Sequence, residues 1–89
     1  MDFKNSKRTE LTESAAVMFG RLVYTAREQR NISRYKLAKD LGLSDTSVRN
    51  IEEGKKFLSL DKIVIICRYF GWNKISFDFG NSVRVVKDD

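Results

Sequence analysis

The sequence predicts a small, mainly α-helical domain of four to five helices that ends in a β-strand or hairpin. Three observations predict it. Apolar residues recur at three-to-four spacing in successive segments as far as Phe70. These segments open on Ser or Thr and are followed by Gly or Asn. After Gly71 the apolar period drops to two. The length, 89 residues, allows one domain, and 42% hydrophobic residues is too apolar for a disordered chain.

The first helix is predicted over 13–30, with Ala15, Met18 or Phe19, Leu22 or Val23, and Ala26 on its inner face. Thr12 is its expected N-cap, Arg27 and Arg30 suit its negative C-terminal end, and Asn31 can adopt the left-handed conformation that stops it. Residues 1–12 read as a flexible arm carrying Lys4, Lys7 and Arg8. Ser33 caps a second helix over 34–41, with Leu37, Ala38 and Leu41 as its apolar stripe, and Gly42 ends it. Ser44 caps a third after only a short turn, with Val48 and Ile51 inward and Gly54 as the stop. Two helices of about eight residues are too short to be stable alone and must pack on their neighbours. Ser59 opens a fourth helix over 60–70, with Ile63, Ile66 and Phe70 on one side and Leu60 and Cys67 beside them. Tyr24 and Tyr35 read as packing residues, and Trp72 as a cover for the end of the fourth helix. Beyond it, Ile75, Phe77 and Phe79 alternate with polar residues, Gly80-Asn81 is a turn signal, and Val83 and Val85 alternate again. The organisation expected is an arm (1–12), a helical domain (13–73) and a strand or hairpin (74–89) that holds a dimer.

Composition removes whole classes of function. There is no histidine and one cysteine, Cys67. Ser–His triads, Cys–His nucleophiles and thiolate–imidazole zinc sites are therefore out, and neither metal nor cofactor is expected. The glycines stand singly at 20, 42, 54, 71 and 80, which makes no phosphate-binding loop. An enzyme is not expected. No apolar run is long enough to span a membrane, no secretory signal is visible, and a lone cysteine suits a reducing compartment, so a cytoplasmic protein is expected. The net charge of +5 favours an anionic partner, nucleic acid before membrane. Residues 32–56 carry six positive and four negative side chains, whereas 75–89 carry two and three, so the tail does not share the excess.

The stretch from Ser33 to Gly54 carries a resemblance. It has a polar cap at Ser33, Leu37-Ala38, Gly42 at the turn, Ser44 as second cap, Val48-x-x-Ile51 followed by Glu52, and a closing Gly54. In this it resembles the Cro and phage-repressor (XRE-like) helix-turn-helix transcriptional regulators, over roughly residues 15–72. The resemblance implies a lambda-repressor-like fold and sequence-specific binding of double-stranded DNA, with the third helix in the major groove. It places the base-reading positions on Asp45, Thr46, Ser47, Arg49 and Asn50. Asn can pair with adenine and Arg with guanine; Asp45 departs from the pattern and can instead favour the positive end of its helix. Phosphate contacts fall on Ser33, Arg34, Ser44, Lys55 and Lys56, with Arg34 standing where the family usually has glutamine. Arg27 and Glu52 correspond to an ion pair between the first and third helices. Ile75, Phe77, Phe79, Val83 and Val85 are the expected interface of a homodimer. A helix-turn-helix followed by a strand also resembles antitoxins of the persistence kinase type, which adds a protein toxin as an alternative partner.

Overall fold

The computed structural model describes residues 5–55 and 58–79, with side chains from residue 13 onward. Four helices follow one another: α1 (Asn5–Gln29), α2 (Arg34–Leu41), α3 (Asp45–Glu52) and α4 (Leu60–Phe70). Among the described residues there is no strand. The alternation through Ile75, Phe77 and Phe79 has no second segment to pair with there, and alternation without partner hydrogen bonds makes no sheet. Gly80-Asn81, Val83 and Val85 lie outside the described residues, as does Lys56.

α1 begins eight residues earlier than the apolar spacing indicates, so Thr12 lies inside the helix and does not cap it. An apolar period needs several apolar residues, and Leu11 alone gives none. Once nucleated, a run such as Lys7-Arg8-Thr9-Glu10-Leu11, free of Pro and Gly, extends it turn by turn at little cost. The other end is as expected: Asn31 has φ 55°, and the Ile32 amide donates back to the Arg27 carbonyl.

The short helices owe their ends to side chains and glycine. Ser33 Oγ accepts from the Lys36 amide at 3.0 Å, and Ser44 Oγ from the Ser47 amide at 3.0 Å. Gly42, at φ 74°, turns the chain from α2 into α3, a conformation that a side chain would strain. Ser59 sits in the N-cap position of α4 but makes no capping bond, and hydrogen bonding with its hydroxyl holds the Asp61 carboxyl below its ordinary pKa.

Phe19, Val23, Ala26, Leu37, Ala38, Val48, Ile51, Ile66 and Phe70 form the core, with α3 packed against both α1 and α2. Trp72 stacks on Phe70 at 5.0 Å and meets Phe19 edge-on, closing the end of α4. Ile75 and Phe77 return to the same core, half-buried. Arg30 ties the ends of α1 and α4 together, with its guanidinium 4.9 Å over the Phe70 ring. Leu60 is no part of the core: it is 75% exposed, and Val64 and Ile65 are exposed with it, so α4 is apolar on its outer side too. Tyr24 and Tyr35 also face solvent rather than packing.

Gly20 had no assigned role in the sequence. It lies in mid-helix where α1 crosses the end of α3, and a Cβ there would collide with the Ile51 carbonyl oxygen and lie 2.8 Å from that of Glu52. The two backbones touch at this point because glycine has nothing to hold them apart. Among the described residues no helix is long and apolar enough to cross a membrane.

Candidate nucleic-acid interface

α3 divides its eight residues between two surroundings. Val48 and Ile51 are buried at 1% and 5% exposure, and the Glu52 side chain is 3% exposed. Asp45 and Arg49, one turn apart, keep 40% and 47% of their side-chain surface, Thr46 is exposed, and Ser47 and Asn50 are half-buried. The five expected base-reading residues thus lie on one short helix with a solvent-facing side, and the structure brings Asp45 and Arg49 together, with Oδ2 and Nη2 3.5 Å apart. Ser47 Oγ accepts from Ser44 Oγ at 3.0 Å, which commits both hydroxyls to the start of the helix.

The cationic residues around α3 are arranged differently. Lys36 pairs with Asp40 at 3.0 Å and Lys55 with Glu53 at 3.1 Å, all at the surface, where such pairs add little to stability. Tyr69 donates to the same Asp40 carboxylate at 2.7 Å and joins α4 to the end of α2. The Tyr69 hydroxyl and then Lys36 hold the Asp40 carboxyl below its ordinary pKa, and Tyr69 is raised in turn. This network was not singled out from the sequence, and Tyr35, expected to pack, is 69% exposed between Arg34 and Lys36. An aromatic residue flanked by two cations was the available signal for Tyr35.

Beneath α3 lies a charged cluster. Arg27 donates from Nε to Glu52 Oε2 at 2.6 Å, from Nη2 to Oε1 at 3.1 Å, and from Nη1 to the Ile32 carbonyl at 2.9 Å. These bonds hold its pKa above its already high ordinary value. Arg34 approaches from the start of α2, with Nε 3.5 Å from Glu52 Oε1, an ion-pair distance too long for a good hydrogen bond. Nε itself is buried and has no hydrogen-bond partner, while a third of the Arg34 side chain remains exposed. One carboxylate thus fixes α1, α2 and α3 relative to one another. Cys67 takes no part; burial pushes its thiol pKa up, which suits a small apolar side chain.

Two α-helices joined through Gly42, the second capped and two-faced, define a helix-turn-helix DNA-binding regulator of transcription, a class that is not enzymatic. The helix-turn-helix family profile matches residues 23–75, and the chain belongs to that family. Among solved structures it is similar to the restriction-modification controller protein C.AhdI from Aeromonas hydrophila. That likeness has a TM-score of 0.61 and 25% sequence identity, and it covers 66% of this chain and 89% of the other. No curated protein matches the chain by sequence.

Proposed function

We propose that this protein is a transcriptional repressor that reads a specific operator as a homodimer, with α3 of each subunit in the major groove. The two-faced build of α3 carries this reading. Its inner residues anchor it to α1, while Asp45, Thr46, Arg49 and Asn50 are left to meet base edges. Arg34, Lys55 and Lys56 serve the phosphates, together with the helix N-termini that Ser33 and Ser44 open. The likeness to a controller protein supports control of gene expression as the role. For the dimer, Leu60, Val64, Ile65 and Phe79 are exposed apolar residues that a second copy can cover. Ile75, Phe77, Val83 and Val85 extend that interface in this reading. Because Ile75 and Phe77 already pack on their own core, α4 supplies more of it than the sequence indicates. The alternative is an antitoxin that also binds a protein toxin, which a neighbouring reading frame encoding a toxin would favour.

The deciding experiment is selection of bound duplexes from a random pool. A palindrome with half-sites about 34 Å apart, one duplex turn, is expected. Enrichment of no motif refutes sequence-specific reading, and a single unpaired half-site refutes the dimer. Leu60→Lys with Val64→Lys should yield a folded monomer in solution that binds a full site weakly.

A further inference from the structure

We propose that Asp45 positions Arg49 for a guanine and, by the same contact, keeps it off the phosphates, so that the two side chains act as one recognition element. This rests on the placement of α3 in the major groove. Asp45 stands in the first turn of α3, and Arg49 follows one turn later with Nη2 3.5 Å from Asp45 Oδ2. Long side chains on a helix lean toward its N-terminus, which brings Arg49 over Asp45 and toward the end of the helix that enters the groove. A guanidinium has five N–H groups in one plane. Nη2 is the atom facing Asp45, which leaves others for O6 and N7 of a guanine.

The charge of α3 supports the assignment. Its charged residues are Asp45, Arg49 and Glu52, and the Glu52 side chain is buried against Arg27. The exposed charge of the helix is therefore one carboxylate and one guanidinium, which cancel. α3 contributes little general attraction to DNA, and the flanking basic residues must supply it. An arginine without Asp45 could swing to a phosphate, a contact blind to sequence. With Asp45 in place that swing breaks an ion pair and leaves a carboxylate facing the phosphates. The guanine contact is spared this loss, so Asp45 raises the ratio of specific to non-specific binding, chiefly by weakening binding to non-specific duplexes.

The test uses the full chain with the selected operator and a scrambled duplex, by fluorescence anisotropy at several salt concentrations. Asp45→Asn and Asp45→Ser should each bind the scrambled duplex several-fold more tightly. They should also lower the specificity ratio about tenfold and lose the guanine preference at one position of each half-site. Asp45→Glu, which keeps the charge, should retain part of that preference. In an Arg49→Ala background, Asp45→Asn should leave the base profile unchanged. Asp45→Asn and Asp45→Ser variants that keep the wild-type guanine preference and ratio overturn the proposal alone. A wild-type protein that binds all duplexes equally overturns the base-reading assignment beneath it as well.

Discussion

Glu52→Ala is the most informative perturbation of the scaffold, because it removes the one carboxylate between Arg27 and Arg34. The charged hydrogen bonds lost are those from Arg27 Nε and Nη2, at 2.6 and 3.1 Å. Each such bond contributes about 1.5–3 kcal/mol. Breaking a buried pair from one side usually costs about 3–5 kcal/mol, since a charge is left behind. Here Arg27, with its side chain 8% exposed, keeps its bond to the Ile32 carbonyl and a contact with Glu28 at 3.6 Å. That puts the expected loss near the lower end, about 3 kcal/mol, or roughly 12–24 °C in Tm for a domain of this size. Urea unfolding followed by circular dichroism measures it. Glu28→Ala is the control: Glu28 is 54% exposed, and its removal should cost under about 1 kcal/mol. The Arg27→Ala, Glu52→Ala double variant should lose less than the sum of the single losses. A Glu52→Ala protein no less stable than Glu28→Ala would refute the view that this carboxylate holds three helices in place.

Gly20→Ala should destabilise by more than about 2 kcal/mol, although alanine gains roughly 1 kcal/mol in helix propensity, because its methyl group meets the Ile51 and Glu52 carbonyls. A more stable variant would show that α1 and α3 can separate freely. Tyr69→Phe should be less stable than wild type near neutral pH. The Asp40 pKa is lowered in the folded state, so that part of the stability exists above the usual carboxylate range and fades as pH falls through the folded value. The Tyr69 pKa is raised, so the bond's contribution is intact below about pH 10 and is lost as pH rises through the folded value. The difference between wild type and variant should therefore close at both extremes; urea midpoints across pH that show a constant gap contradict the network. Thr46→Ala or Asn50→Ala should cost about 1–3 kcal/mol and relax preference at one or two base pairs in a binding selection. Lys55→Ala should weaken all duplexes alike and reduce the salt slope by about one; a changed base preference would place Lys55 in the groove.

The helix-turn-helix was legible because its signals are local. Ser33, Gly42 and Ser44 fix their helix ends through atoms within a few residues, and Leu37, Val48 and Ile51 repeat at helical spacing. The upstream part of α1 was not legible, since Leu11 is its one apolar residue and a single residue gives no helical period. The outward apolar side of α4 was hidden for another reason: Leu60, Val64 and Ile65 look like core in a list of residues, and only the fold shows that they have no cover among the described residues. Arg27 and Glu52 lie 25 residues apart, and no spacing rule joins them; resemblance named the pair. The second partner of Glu52, Arg34, and the Asp45–Arg49 contact became visible once side chains had positions.

The interleaving of buried and open positions along α3 bears on how such a regulator diverges. Val48, Ile51 and Glu52 hold the helix, while Thr46 and Arg49 stay exposed. Exchanges at Thr46 and Arg49 should shift stability by no more than about 0.5 kcal/mol. A duplicated gene could therefore drift through many outer faces while its product stays folded throughout. Targets can be lost and acquired one base pair at a time, and each intermediate remains a working protein on which selection can act.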